Sequence, residues 1–166
     1  MKGRPRESTG GGPSACRGGG TLRRCYVLAM GNTMAGGTTH FHDRYIDAWN
    51  EAMSTGRSAP IEEFLSPEYH GWLGQEAAAT APFDAATARE GFAGTVADMQ
   101  GCTVHADFRT VTPRGRDEAV VFYEMTYRSG AEITGRALLL ESWRLTDGAW
   151  LLCRDFTEVN VGQPAA

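Results

Sequence analysis

The sequence predicts an α+β fold in which three helices pack on one face of a curved antiparallel sheet and leave an interior pocket. Segments with helical periodicity come first along the chain, and a series of long strands with short turns follows them. One late strand also carries a carboxylate in the middle of an apolar face, which requires either a partner for the carboxylate or a cavity. The length of 166 residues and the apolar fraction of 42% are typical of one globular domain.

The first predicted helix covers residues 38–53, with Thr38 or Thr39 as its N-cap. Apolar side chains recur along it at helical spacing and form one stripe: Phe41, Tyr45, Ala48, Trp49 and Ala52. His40 and His42 lie at the start of this helix, where we expect both to be solvated. No acid or further histidine is spaced to complete a metal site with them, so we expect no metal.

A second, short helix is predicted over residues 61–66, with Pro60 at or before its first turn and Pro67 as its stop. Residues 68–74 are typical of an aromatic-rich strand that ends at a glycine. After a loop, Asp84 is the predicted cap of a third helix. The apolar stripe of that helix consists of Ala85, Ala88, Phe92, Val96 and Met99.

Long strands are predicted over residues 103–111, 119–128, 133–145 and 150–159. Asp147-Gly148, between the last two, is a strong signal for a tight hairpin. In the strand before this hairpin, alternate side chains form one face: Ala137, Leu139, Glu141, Trp143 and Leu145. Burying an unpaired carboxylate on such a face costs several kcal/mol or forces it to take up a proton.

The predicted domain spans residues 38–160. Residues 1–37 are rich in glycine and indicate a disordered basic leader, and residues 161–166 indicate a frayed end. An alternative is that translation starts at Met30 or Met34, so that the leader is not made.

The charge of the chain is unevenly distributed. Residues 1–33 carry six basic residues and one acidic residue, whereas residues 34–166 carry ten arginines, no lysine and 19 acidic residues. An acidic domain lacks the basic face that binding to nucleic acid needs, so we expect no nucleic-acid partner.

The four cysteines form no CxxC pair, which favours reduced thiols in a cytoplasmic protein. Arg23-Arg24 precedes a short apolar run and raises the alternative of a twin-arginine export signal, but the run is too short and no cleavage site follows it. No apolar run approaches the roughly 20 residues that a membrane span needs, so we expect no membrane partner.

Four stretches of the sequence resemble the NTF2-like superfamily, and within it the SnoaL-like polyketide cyclases and the relatives of ketosteroid isomerase. They are RYIDAWNEA, FLSPEYHGWLG, AREGFAGTV and LLLESWRLTDGAWLLCRDF. The resemblance implies a cone-shaped fold and a homodimer formed through the outer face of the sheet. It also implies cofactor-independent acid/base chemistry on a small apolar carbonyl compound, such as a polyketide or terpenoid intermediate of secondary metabolism, by isomerisation, cyclisation or dehydration.

The resemblance implies roles for individual residues. Tyr45 matches a helix tyrosine that donates a hydrogen bond to a developing oxyanion, and Glu141 matches a protonated acid that is the second donor. The family's general base is an aspartate at the position that Trp72 occupies here, so that base is missing. His70, two residues earlier, is the candidate to move the proton.

Each of these residues also has a purely structural interpretation. Glu141 can be part of a salt bridge across the sheet, Tyr45 can be a core tyrosine, and a lone strand histidine such as His70 is more often structural. The apolar-face aromatics are expected to be mostly core, with one or two lining the pocket for a flat substrate: Trp49, Trp72, Phe108, Tyr123 and Trp143.

Two alternative functions remain open. Arg154-Asp155 in the last strand would serve an epoxide hydrolase, although a second pocket aspartate is not evident. A non-catalytic module that binds a ligand or a partner would use the same pocket without an acid/base pair. We expect His105, on the polar face of its strand, to be exposed or at an interface.

Overall fold

The computed structural model describes residues 35–75, 78–79 and 82–162 of the chain. The predicted leader up to residue 34 and the end beyond residue 162 lie outside this part. The helices are α1 (Ala35–Thr55), α2 (Ala59–Glu62) and α3 (Ala85–Asp98). The strands are β1 (Leu65–Gln75), β2 (Ala78–Ala79), β3 (Phe83–Asp84), β4 (Thr103–Pro113), β5 (Glu118–Ser129), β6 (Glu132–Thr146) and β7 (Ala149–Val159).

The strands form one curved, unclosed sheet in the order β2-β1-β7-β6-β5-β4, with β3 paired to β1. The predicted α+β class is confirmed. The four long strands from β4 to β7 form the predicted antiparallel meander. The sheet is not antiparallel throughout, because β1 runs parallel to β7, which the chain reaches only after α3 and the strands β4 to β6.

Helix α1 packs its predicted stripe against the sheet, and Phe41, Tyr45, Trp49 and Ala52 are buried. The helix begins at Ala35 and not at the predicted cap, so His42 is not at the helix start. Asn50 ties α1 to β4, because its side-chain amide accepts from the N–H of Val104 at 2.7 Å and donates to the carbonyl of Val104 at 3.0 Å. This contact satisfies backbone groups of β4, which is an edge strand.

Two predicted boundaries are wrong around Pro67. Helix α2 ends at Glu62, and β1 has already begun at Leu65, so Pro67 lies inside a strand and does not stop a helix. The register of β1 against β7 shifts between Leu65 and His70, and such an irregularity tolerates a proline. The predicted cap of α3 is confirmed, since Oδ1 of Asp84 accepts from the backbone N–H of Thr87 at 2.9 Å.

The predicted hairpin between β6 and β7 is also confirmed. Asp147 and Gly148 both have positive φ angles, 52° and 83°, as the favoured two-residue turn requires. The turn sets the register of the two strands as far as Trp143 opposite Leu152. The register then shifts between Ser142 and Trp143, and this irregularity places Glu141 directly opposite Asp155. No helix within the described ranges is long and apolar enough to cross a membrane.

Candidate functional site

Glu141 is completely buried, with 0% of its surface exposed, and three side chains surround its carboxylate. The hydroxyl of Tyr123 donates to Oε1 at 2.7 Å, and the indole N–H of Trp143 donates to Oε2 at 2.8 Å. Nε2 of His42 lies 3.1 Å from the same Oε2. Strands β5 and β6 and helix α1 each supply one of these groups, so the carboxylate joins three elements of the core.

His42 is buried as completely as Glu141, which overturns the expectation that it is solvated. Its other ring nitrogen, Nδ1, lies 3.2 Å from Nη1 of Arg109. A guanidinium can only donate, so Nδ1 accepts and the proton of the neutral ring is on Nε2, where it is donated to Glu141. Arg109 also forms an ion pair with Asp43 at 2.6 Å. A continuous chain of polar contacts thus runs from Asp43 to Glu141.

A β-bulge in β4 brings Arg109 into this chain. The register against β5 shifts between Asp107 and Thr110, and Phe108 has a φ angle of +55°. Regular alternation would continue the inward face of Val104 and Ala106 with Phe108. Because the bulge reverses the alternation, Arg109 points inward and Phe108 is 76% exposed. The prediction that Phe108 belongs to an apolar face near the pocket is therefore wrong.

Next to Glu141, across the β6–β7 pair, a second carboxylate is buried. Asp155 is 7% exposed, and its Oδ1 has no hydrogen-bond partner within the described part of the chain. The hydroxyl of Tyr69, on β1, is also buried and has no partner there. Both atoms approach Gly71 so closely that a Cβ at this position would clash with them. Asp155 and Tyr69 therefore form a buried polar pair over a glycine, with hydrogen-bonding capacity left unused.

This environment changes the pKa of both groups. Burial raises the pKa of Asp155 to about 7, against the lowering effect of the Tyr69 hydroxyl and with a further increase from the charge of Glu141. Burial and the nearby Asp155 raise the pKa of Tyr69 far above its usual value. At neutral pH, Asp155 can therefore both accept and donate a proton, whereas Tyr69 stays a phenol whose hydroxyl is able to donate a hydrogen bond.

Tyr45 lies near this pair, and Trp49 packs against Tyr45 with ring centroids 6.3 Å apart. Burial and then the charge of Glu141 raise the pKa of Tyr45 well above its usual value, and the charge of Asp155 contributes in the same direction. Tyr45 is not among the donors to Glu141 within the described residues. The indole N–H of Trp49 is buried without a partner there. The interior beside Tyr45 therefore contains one further unused hydrogen-bond donor within the described residues, the indole N–H of Trp49.

The structure brings only some of the sequence-predicted site residues together. Glu141, Tyr45, Trp49, Tyr123 and Trp143 are buried between α1 and the sheet. Tyr123 and Trp143 donate to Glu141, so they support the carboxylate directly. The predicted role of Glu141 as a protonated donor stays a prediction, since both of its oxygens here accept hydrogen bonds.

The other predicted site residues lie elsewhere. His70 packs edge-on against Trp72, with ring centroids 5.3 Å apart, on the face of β1 opposite to Tyr69 and Gly71. Arg154 is exposed and alternates with the buried Asp155, so the two point to opposite faces of β7. His70 therefore does not join Glu141, and the Arg154-Asp155 pair of the epoxide hydrolase hypothesis does not form within one pocket.

Sequence reasoning missed His42, Tyr69 and Arg109. A signal was available for His42, because residues 42, 45, 49 and 53 share one face of a helix. A signal was also available for Tyr69, which has the same strand parity as Gly71. The inward orientation of Arg109 depends on the bulge in β4, and no clear marker in the sequence predicts that bulge.

Beside Arg109 lies a cleft of about 320 Å³ between α1 and β4. Its lining includes Asp43, Asp47, Asn50 and His105. His105 is exposed, as expected. The described part of the chain contains no group of three or more histidine, cysteine, aspartate or glutamate side chains arranged to hold a metal ion.

No protein-family model matches the chain, and no curated protein is significantly similar to it. Solved structures do match. An NTF2-like protein with a cystatin-like fold from Novosphingobium aromaticivorans is similar with a TM-score of 0.59 and 18% identity, over 78% of this chain and 86% of that one.

Two further matches have names that suggest an activity. A protein proposed to be a dehydratase of the NTF2-like family, from Streptomyces avermitilis, has a TM-score of 0.57 and 13% identity, over 76% of this chain and 99% of that one. A protein proposed to be a ketosteroid isomerase, from Parabacteroides distasonis, has a TM-score of 0.52 and 12% identity, over 72% of this chain and 86% of that one. At these identities the likeness concerns the fold alone, and the described part of this chain has the NTF2-like α+β fold.

Proposed function

We propose that this chain is a cofactor-independent acid/base enzyme that acts on a small apolar carbonyl compound by isomerisation, cyclisation or dehydration. The observation that carries the proposal is the buried pair of Asp155 and Tyr69, in which Oδ1 of Asp155 and the Tyr69 hydroxyl have no hydrogen-bond partner within the described residues. Buried polar groups are normally hydrogen-bonded, and unpaired ones with a perturbed pKa are concentrated at functional sites.

Asp155 takes the role that the sequence assigned to His70. With a pKa of about 7, it removes a proton from the carbon next to the substrate carbonyl. The electron pair of the broken C–H bond moves into the carbonyl group, whose oxygen becomes an enolate. Asp155, now protonated, returns the proton to another carbon in an isomerisation, or to a leaving hydroxyl in a dehydration.

The enolate oxygen needs hydrogen-bond donors that stay protonated. Tyr69 and Tyr45 meet this need, because burial raises the pKa of each phenol well above neutral pH. In this proposal Glu141 supports the site and does not itself donate to the oxyanion. Its charge helps to raise the pKa of Asp155, and its hydrogen bonds hold α1 against the sheet.

The side chains packed around Tyr45 and Trp49 are aromatic, and we propose on this basis that the substrate is flat and apolar. Tyr45 packs against Phe64 and Trp143, and Trp49 packs against Phe92 and Tyr127, with ring centroids 5.0 to 6.4 Å apart. Aromatic walls with a few polar groups are typical of small-molecule sites. A polyketide- or terpenoid-type intermediate of a secondary pathway has this character.

The experiment is a screen of cyclic and polycyclic ketones for exchange of α-hydrogen in deuterium oxide, followed by mass spectrometry. For a ketone that exchanges, Asp155→Asn should lower the rate by about 100-fold or more, and Tyr69→Phe should lower it less. Arg154→Gln, a change at the neighbouring exposed residue, is the matched control and should leave the rate unchanged. Equal rates for Asp155→Asn and the unaltered chain would contradict the proposal.

The alternative is a non-catalytic NTF2-like module that binds a ligand or a partner. The satisfied hydrogen bonds of Glu141 favour it, since they give this carboxylate a structural role. A ligand that binds the chain with the same affinity before and after Asp155→Asn, and is never converted, would support this alternative.

We also propose that two copies of the chain associate through the outer face of the sheet. Phe122, Leu140 and Phe156 are exposed there and lie side by side on β5, β6 and β7, and Trp72 follows Phe156 on β1. An apolar row of this kind is unusual on a monomer. Sedimentation should show a dimer that Leu140→Glu dissociates and Thr146→Glu, at the exposed end of the same strand, does not.

A further inference from the structure

The guanidinium of Arg109 lies between two groups of different character. Nη1 contacts the buried ring of His42 at 3.2 Å, and Nη2 pairs with the half-exposed Asp43 at 2.6 Å. Arg109 does not reach Glu141 itself, so any effect of Arg109 on that carboxylate acts through His42.

The contact with His42 depends on an unusual backbone. Arg109 follows Phe108, which has a φ angle of +55°, and the bulge reverses the alternation of β4 at this point. Because the side chain of Phe108 is exposed to solvent, its packing does not compensate for the strain in its backbone. Backbone strain of this kind persists where the surrounding structure requires a particular geometry. Here the bulge turns the side chain of Arg109 inward.

We infer that Arg109 is a positioning residue that holds His42 in its neutral form, with the proton on Nε2, so that His42 donates to Glu141. The donor on Arg109 occupies the lone pair of Nδ1, and a nitrogen that accepts this bond has no lone pair left for a second proton. Without Arg109, a histidine beside a buried carboxylate would take up that proton.

The groups around His42 come from every element packed against it. Glu141 and Trp143 face it from β6, Tyr123 from β5, Arg109 from β4, and Tyr45 from the next turn of α1. Among these groups only Glu141 carries a negative charge and only Arg109 a positive one. Asp43, the other partner of Arg109, is half exposed, so water can solvate its charge when the guanidinium is removed. The buried charge of Glu141 is then left with His42 as the only one of these groups that can become positive.

This role rests on the proposed function, because a protonated His42 would offset the charge of Glu141 that acts on Asp155. The inference and the proposed function can nevertheless fail separately. The state of His42 is read from the ring nitrogens without any substrate, whereas the proposed function depends on turnover by Asp155.

The experiment is nitrogen-15 NMR of the histidine rings in the full chain between about pH 5 and 8. His40→Gln, His70→Gln and His105→Gln, each made singly, remove the signals of the other histidines and so assign His42. In the unaltered chain, Nδ1 of His42 should resonate as an unprotonated nitrogen and Nε2 as a protonated one at neutral pH. A protonated Nδ1 there would overturn the inference.

Variants of Arg109 test whether this residue keeps Nδ1 of His42 unprotonated. Arg109→Met should let Nδ1 take up a proton within that pH range, and Arg109→Lys, which retains a donor, should restore the original pattern. Arg128→Met is the matched control, because it removes an arginine of β5 that pairs with Asp107 at 3.0 Å, and it should not change the His42 signals. If Arg109→Met unfolds the chain, Arg109→Thr replaces it, since threonine suits a strand and is too short to donate to Nδ1. A folded Arg109→Met variant with an unchanged His42 pattern would overturn the inference, and so would a pattern that Arg109→Lys fails to restore.

Discussion

Glu141 and Asp155 are buried carboxylates that face each other on neighbouring strands, yet their surroundings differ completely. Glu141 accepts hydrogen bonds from Tyr123 and Trp143 and a third from His42. Asp155 has an oxygen without a partner in the described part of the chain, beside a tyrosine hydroxyl in the same condition. The difference teaches that burial alone does not mark a reactive acid, because hydrogen bonds decide whether a buried carboxylate is held in place or free to react.

The free energy of desolvation also distinguishes the two carboxylates. A carboxylate with three donors recovers in hydrogen bonds much of the solvation that it lost, whereas one with an unused oxygen does not. Asp155 therefore has a pKa raised to about 7, and part of this increase comes from the charge of Glu141. The satisfied carboxylate thus helps to make the unsatisfied one reactive.

The largest expected effect on stability comes from replacing Glu141, the carboxylate whose hydrogen bonds are satisfied. Glu141→Leu leaves the donors of Tyr123, Trp143 and His42 buried without an acceptor and should lower the free energy of unfolding by about 4 kcal/mol. Asp155→Asn should change the same free energy by less than about 1 kcal/mol at pH 4, where Asp155 is largely protonated. Urea denaturation of both variants measures the difference, and equal losses would remove the distinction between the two carboxylates.

The pH dependence of stability sharpens the comparison. Because the pKa of Asp155 is raised from about 3.8 to about 7 by folding, its ionisation disfavours the folded state. The contribution of protonated Asp155 to the stability of the folded state is fully present below about pH 4 and is lost as the pH rises to about 7. Asp155→Asn lacks this loss, so its stability relative to the unaltered chain should rise over the same range, by at most about 4 kcal/mol at about 1.4 kcal/mol per pKa unit.

Denaturation curves at a series of pH values test this expectation. Comparing the two chains cancels the contributions of the other carboxylates, which are common to both. A stability difference that stays flat between pH 4 and 7 would mean that Asp155 is solvated or paired in solution.

Filling the space over Gly71 should have a smaller effect. A Cβ there would clash with the Tyr69 hydroxyl, Asp155 Oδ1 and the ring of Phe83, so Gly71→Ala should cost about 1–3 kcal/mol and separate the pair. In Gly74→Ala, the matched control on the same strand, the nearest contact is the exposed ring of Phe156 at 3.1 Å, and the cost should stay below about 1 kcal/mol. Thermal unfolding compares the two, and equal losses would argue against a closely packed pair.

The smallest effect concerns the bulge that delivers Arg109 to the network of Glu141. A positive φ at Phe108 costs on the order of 1 kcal/mol, and the side chain is mostly exposed, so Phe108→Gly should stabilise the chain by up to about 1 kcal/mol. Thr112→Gly, at an exposed position of the same strand without a positive φ, should destabilise it by a similar amount. Loss of stability in both variants would show that the bulge is not strained.

Much of the fold could be predicted from local patterns. The apolar stripe of α1, the alternation in β6 and the Asp147-Gly148 turn each depend on neighbouring residues, and each is confirmed. The burial of Glu141 followed directly from that alternation, because period two leaves no other face for a residue between Leu139 and Trp143.

The candidate site was harder to predict because it depends on irregularities. The bulge at Phe108 exchanges the faces of Phe108 and Arg109, and an irregularity between Leu65 and His70 shifts the register of β1. Assigning His70 to the pocket assumed a regular strand. The partners of Glu141 lie 18 to 99 residues away in the sequence, except for Trp143, so only the folded chain brings them together.

The most direct test of the central claim is a carbon-detected NMR titration of the Asp155 carboxyl group in the full chain. The account predicts a midpoint near pH 7, and a clear decrease in Glu141→Gln, which removes the neighbouring charge. A midpoint near the usual value of about 3.8 would contradict the account, because Asp155 would then be an ordinary solvated or paired carboxylate and not one whose pKa burial has raised.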